Sequence, residues 1–200
     1  MAMKDVREVV GIHLRCFPGF FLSVLGERFL RVLYEEIVAD RTGISFVCLA
    51  EGSVVGFVAG TDSPVGFYGK LLNRRWWRFV VAAFPRVVLR PLLVSRLLNG
   101  LRRPGQAARI AHECELMSLG VDPARQGEHL GTALVTRFLW EARARGRHSV
   151  GLTTDQLDND RTNRFYCSQG FRVARVITTP QGRRMNEYTI ALDHIAAFHC

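Results

Sequence analysis

The pattern richest in possible chemistry in this chain of 200 residues runs from Leu116 to Leu134 and reads L-M-S-L-G-V-D-P-A-R-Q-G-E-H-L-G-T-A-L. An apolar, strand-like run stops at Asp122-Pro123, a loop containing Gly127 follows, and a helical run begins around Gly131. Glycine lets backbone come close to a ligand. The free N–H groups and the dipole at a helix start favour a phosphate-like anion. The candidate anion-binding residues are therefore Gln126, Gly127, Glu128, His129, Leu130, Gly131 and Thr132. On pattern alone, a tight strand-to-helix connection with helix-packing glycines explains the same residues equally well.

Two carboxylates, Glu113 and Glu115, lie just upstream on a strand predicted over Ile110 to Val121. Residues two apart on a strand share a face. Glu115 is suited to take a proton from an amine or to hold a cationic group, with Glu113 beside it. The competing reading is a strand-end carboxylate paired with one of the many arginines. By the same alternation His112 faces the other side, where it packs.

The elements that position these groups follow from the hydrophobic spacing. Two helices are expected between Asp5 and Asp40, interrupted by Pro18-Gly19, with Phe29, Leu30, Leu33 and Ile37 lining the second. A hairpin pairs Ile44 to Ala50 with Val54 to Thr61 around Glu51-Gly52-Ser53. After the central strand come a helix over Thr132 to Arg145 stopped by Gly146, a strand over Ser149 to Thr154, and a short helix over Arg161 to Gln169. Strands over Phe171 to Thr178 and Asn186 to Leu192 close the order, joined at Pro180-Gln181-Gly182. This predicts an α/β (α+β) fold of one domain over residues 1–200, a mixed central sheet flanked by helices.

The loop from Gln126 to Gly131, following an L-x-V-x-P-like strand, resembles the (Arg/Gln)-x-x-Gly-x-(Gly/Ala) signature of the GNAT acetyltransferase superfamily. Gln126, Gly127 and Gly131 match, and His129 stands where the family usually has the middle glycine. A second stretch, N-D-R-T-N-R-F-Y-C-S-Q-G-F from Asn159 to Phe171, is similar to the family's N-x-x-A-x-x-F-Y-x-x-x-G-F, with Thr162 at the usual alanine. The family's first strand, before the first helix, has no counterpart that the sequence makes evident.

The resemblance implies an N-acetyltransferase that moves an acetyl group from acetyl-CoA directly to a primary amine of a small molecule, such as an amino sugar, with no metal. It implies Tyr166 as the acid that protonates the leaving thiolate, Glu115 near the acceptor, and backbone groups of Leu119 and Val121 along the pantetheine arm. Asn159 corresponds to the family's cofactor-side asparagine. Cys167, next to Tyr166, makes an acyl-cysteine route conceivable, but no nearby histidine is placed to activate it. Alternatives within the same fold are an aminoacyl-tRNA donor, a protein amine as acceptor, or a binding module without catalysis. A homodimer is also expected from the family.

Composition bounds these readings. With 48% hydrophobic and 22% charged residues, the chain is expected to fold around a core. Five cysteines without a C-x-x-C pair argue against a zinc site or disulfide framework. The lack of a signal-like start suggests a cytoplasmic protein. The net charge of +9 is concentrated: from Pro64 to His112 there is no acid, against ten Lys and Arg residues. This basic insertion, about 64–109, is read as two or three amphipathic helices. They serve as a lid for an anionic acceptor, a membrane-surface contact, an RNA contact or a solvated arginine face.

Overall fold

In the computed structural model the chain is described at residues 1–65, 67, 77–82, 112–179 and 182–193. Helices α1 (Val6–Cys16), α2 (Phe21–Leu25) and α3 (Glu27–Ala39) come first, preceded by a 3₁₀ turn over Met3–Asp5. No strand precedes α1 among the described residues. The expected second helix is divided at Gly26, whose φ of 92° turns the chain between α2 and α3. Six strands form one sheet: β1 (Gly43–Ala50), β2 (Ser53–Thr61), β3 (Cys114–Val121), β4 (Ser149–Asp155), β5 (Arg172–Thr178) and β6 (Arg184–Ala191). Their order is β1-β2-β3-β4-β6-β5. Every neighbouring pair is antiparallel except β3 with β4. Helix α4 (Leu130–Ala144) connects that parallel pair, and α5 (Asp160–Ser168) follows β4.

The sheet separates two apolar clusters. On one face Val9, Val10 and Ile12 of α1 and Leu30, Leu33 and Tyr34 of α3 pack on Phe57 and Ala59 of β2. On the other, Leu134, Val135 and Phe138 of α4 and Tyr166 of α5 cover Cys114, Leu116, Val150, Leu152 and Tyr188. Each fully buried large side chain stabilises the fold by about 1.5–3 kcal/mol. Helix α4 ends at Gly146 (φ 74°), where Arg147 N–H returns to Ala142 C=O at 3.1 Å, as a left-handed cap requires.

The central strand contains an irregularity that the sequence pattern does not reveal. Ala59 pairs with Ser118 and Gly60 with Leu116, so Met117 is an extra residue, a β-bulge. Before it, Cys114 and Leu116 face α4; after it, Leu119 and Val121 do, while Met117 packs on the α1–α3 side. The bulge therefore reverses which positions of β3 face each helical layer.

The predicted strand start at Ile110 lies outside the described residues, and β3 begins only at Cys114. Of the basic insertion, residues 77–82 are helical. Phe79 is buried against Phe29 with ring centroids 5.4 Å apart, and Arg78 bonds Glu35 and Glu36 of α3 at 2.6 Å each. The other helices expected there lie outside the described residues, as does the Pro180-Gln181 turn.

Candidate functional site

Strands β3 and β4 are eight and seven residues long, yet they pair only at Cys114–Val150 and Glu115–Gly151. Beyond those pairs they diverge, which leaves a fork between Met117–Val121 and Leu152–Asp155. In an antiparallel ladder successive residues point their backbone groups to opposite sides. Asp122 N–H bonds Val55 C=O on the β2 side at 2.9 Å, so Val121 and Leu119 turn theirs into the fork. These are the two residues expected to line an extended ligand there. The Val121 carbonyl accepts the Cys16 thiol at 3.1 Å, and burial pushes that thiol up from its ordinary pKa.

The glycine loop and the start of α4 stand at the open end of the fork. Gln126, Gly127, Glu128 and His129 are exposed, and Leu130, Gly131 and Thr132 are half-buried. His129 caps α4 in the left-handed region (φ 57°, ψ 11°) and supplies no side-chain cap. It therefore holds the backbone shape that a glycine would take there without cost, at roughly 1–2 kcal/mol of strain. The first intrahelical bond is Ala133 N–H to His129 C=O at 3.1 Å, so the N–H groups of Leu130, Gly131 and Thr132 precede the ladder. Gly131 has a second role: a Cβ there would stand 3.3 Å from the Phe165 ring, so its smallness lets α4 approach α5. Glu128 is paired with Arg125 at 2.6 Å, which neutralises the one acid in the loop.

Tyr166 projects from α5 into the α4-side core. It packs on Phe165, Phe171 and Tyr188 with ring centroids 5.2, 5.7 and 6.2 Å away. Burial pushes its phenol above the ordinary range, so it stays protonated as a donor must. Asn159 donates to Thr154 Oγ1 at 2.5 Å and Asp155 C=O at 3.3 Å, which ties α5 to the end of β4. Asn163, which the sequence reading did not single out, completes the tie. It donates to Asp155 C=O at 3.1 Å and accepts the Tyr188 hydroxyl at 3.1 Å. Cys167 is exposed on α5.

Two expectations for the base of the fork need correction. Glu113 lies in a bend before β3 and accepts the backbone N–H of His148 at 2.8 Å, so it serves a strand end. Glu115 lies on β3 beside Gly151, on the face opposite Cys114 and Val150. His112 does not face away from it. Because His112 precedes the strand, alternation does not govern it, and its ring folds over Gly151, where a Cβ would stand 2.0 Å from the ring. His112 Nε2 is 3.0 Å from Glu187 Oε1, and Arg175 Nε donates to Glu187 Oε2 at 2.9 Å.

Past the end of β4 a cavity of about 470 Å³ opens between the α1–α2 connection and the β5–β6 hairpin. Phe20, Phe21, Val24, Asp155, Leu157 and Arg183 are among its lining residues. Arg183 holds Asp155 through two hydrogen bonds and lies over the Phe20 ring, 5.4 Å from its centroid. The site thus combines a fork with free strand edges, a helix N-terminus suited to a diphosphate, a buried phenol, a carboxylate and a polar-rimmed apolar cavity.

Among known proteins, the sequence profile of the Acetyltransferase (GNAT) family matches residues 6–171. Solved structures share the fold at low identity. An N-acetyltransferase from Staphylococcus aureus Mu50 is 15% identical, with 96% of this chain and 95% of that chain covered at a TM-score of 0.60. The ribosomal-protein-S18-alanine N-acetyltransferase from Escherichia coli is 14% identical, with 100% and 96% covered at 0.58. An aminoglycoside 6'-N-acetyltransferase complexed with coenzyme A is 14% identical, with 92% and 89% covered at 0.57. No curated protein matches the sequence.

Proposed function

Since this chain belongs to the GNAT acetyltransferase family, we propose that it transfers an acetyl group from acetyl-CoA directly to the primary amine of a small molecule. The observation that carries this reading is the fork between β3 and β4, whose free edge leads to the N–H groups at the start of α4. The chain's residues suit the donor substrate. The diphosphate falls to the N–H groups of Leu130, Gly131 and Thr132, with Gln126, Gly127, Glu128 and His129 forming the loop around it. The backbone groups of Leu119 and Val121 pair with the pantetheine arm as an added strand does. When bound, acetyl-CoA supplies the activated carbonyl.

The residues then divide the work. Glu115 accepts a proton from the acceptor nitrogen, and Tyr166 protonates the departing sulfur. The cavity past the end of β4 holds the far part of the acceptor, with Asp155 for a second cationic group and Phe20, Phe21, Val24 and Leu157 for its apolar body. Proximity within one ternary complex provides much of the acceleration. The test is incubation of the protein and acetyl-CoA with a panel of small primary amines, amino sugars included, with CoA thiol and acetylated product both measured. Product from an amine establishes the reading. Transfer to none of them, together with acetyl-protein on Cys167 or binding of tRNA, would replace it.

A further inference from the structure

The cavity past the end of β4 already has a cation seated in it. Arg183, just before β6, donates Nε–H to Asp155 Oδ1 and Nη2–H to Asp155 Oδ2. Its guanidinium carbon lies 5.4 Å from the centroid of the Phe20 ring, inside the roughly 6 Å over which an aromatic face attracts a positive group. A carboxylate set beside such a face is a receptor for a cation. Both halves of the receptor are held in place. Phe20 packs edge-on against Phe17 with ring centroids 5.6 Å apart. Asp155 ends β4, where its backbone carbonyl accepts bonds from Asn159 and Asn163.

The occupant is held less firmly than the receptor. The Arg183 side chain is 46% exposed and that of Asp155 19%. An ion pair this open to solvent contributes little to stability, so exchanging its cation for another costs little. The hairpin does not depend on the pair. Arg183 N–H donates to Thr179 Oγ1 at 3.1 Å, and its C=O accepts the Thr179 N–H at 2.9 Å. The side chain can therefore swing into solvent while the backbone keeps its shape. Charge favours replacement over addition. Among the described residues the charged groups lining the cavity are Asp155, Arg183 and Arg184, two positive against one negative. A further cation beside Arg183 meets like charge, whereas one that takes its place leaves the balance unchanged.

We propose that Arg183 is an internal competitor for the subsite that takes a second cationic group of the acceptor, and is in this way a specificity-determining residue. The acceptor's cation enters by displacing the guanidinium from Asp155 and the Phe20 face. This rests on the acetyltransferase reading and narrows its substrate class to amines that carry a second positive group away from the nitrogen that reacts. An amine without that group leaves Arg183 in place.

Two measurements test the proposal, with spermidine as the probe. The net charge of +9 opposes scattered binding of a polycation, so saturable binding reports a specific site. The first is NMR of the arginine Nε–H groups of the wild-type protein, with the Arg183 signal assigned by its absence from Arg183→Lys. The signal is expected to move towards the position of a solvated arginine as spermidine is added; a signal that stays in place overturns the proposal. The second is calorimetric titration of spermidine into wild type, Arg183→Gln and Asp155→Asn. Arg183→Gln removes the competitor and is expected to bind about three- to tenfold more tightly than wild type, while Asp155→Asn binds more weakly. Equal or weaker binding by Arg183→Gln would make Arg183 a structural tie or a ligand contact and overturns the proposal. Neither measurement uses acetyl-CoA, so a failure of acetyl transfer counts against the acetyltransferase reading, and a failure of displacement against this proposal alone.

Discussion

The ring of His112 lies against the backbone of Gly151, and a methyl group on that glycine would stand 2.0 Å from the imidazole. The pair links the base of the fork to the buried Glu187–Arg175 bridge. Gly151→Ala forces the ring out of its place. It is expected to destabilise the fold by about 1–3 kcal/mol, the usual cost of overpacking, measured by urea denaturation. His112→Ala with Gly151→Ala should recover part of that loss, because the clashing partner is then gone.

Removal of the phenol should separate chemistry from binding. Tyr166→Phe keeps the contacts with Phe171 and Tyr188. Its kcat for transfer is expected to drop about 10²- to 10⁴-fold with the KM for acetyl-CoA unchanged, in steady-state assays of CoA release. An equal rise in KM would make Tyr166 a packing residue.

Asp155 is the acid that lines the cavity proposed to hold the acceptor, and Arg183 already holds it. Asp155→Asn is expected to raise the KM of an acceptor that carries a second ammonium group roughly tenfold, equivalent to about 1.4 kcal/mol, with a smaller change in kcat. Initial-rate kinetics across amine concentrations check it.

A pH dependence of stability follows from His13. Burial pushes its pKa down from 6.5 to about 4, so the folded protein holds it neutral while the unfolded chain protonates first as pH falls. Its neutral burial therefore supports the fold fully above pH 6.5, and that support is lost as pH falls towards 4, on the order of 3 kcal/mol in all. The Tyr34 hydroxyl bonds His13 Nδ1 at 2.7 Å. His13→Phe should flatten the fall in urea stability between pH 7 and 4, whatever its effect at pH 7.

Much of this was legible in the sequence where local chemistry decides the structure. Gly146 stops α4, Asp122-Pro123 ends β3, and the hairpin around Gly52 is placed within a residue or so of expectation. The loop from Gln126 to Thr132 and the position of Tyr166 were readable because each depends on neighbours in sequence. Features made by residues far apart were not. The Met117 bulge depends on how β2 pairs with β3. His112 escaped the alternation rule because β3 starts two residues later. Its meaning depends on Gly151 and Glu187, which lie 39 and 75 positions away. Asn163 sits at a variable position of its motif and matters only through Asp155 and Tyr188. The cavity likewise joins three separate segments, so Phe20 and Asp155 carried no signal as a pair.

The central claim is that the start of α4 receives the diphosphate of acetyl-CoA, and calorimetric titration of wild type and Thr132→Asp tests it most directly. An acid in the first turn of a helix favours the helix, so the variant should fold, while its charge opposes the diphosphate. Saturable binding by the wild type, weakened at least about tenfold in Thr132→Asp, is the predicted result. No binding by the wild type, or equal binding by both proteins, would contradict the account.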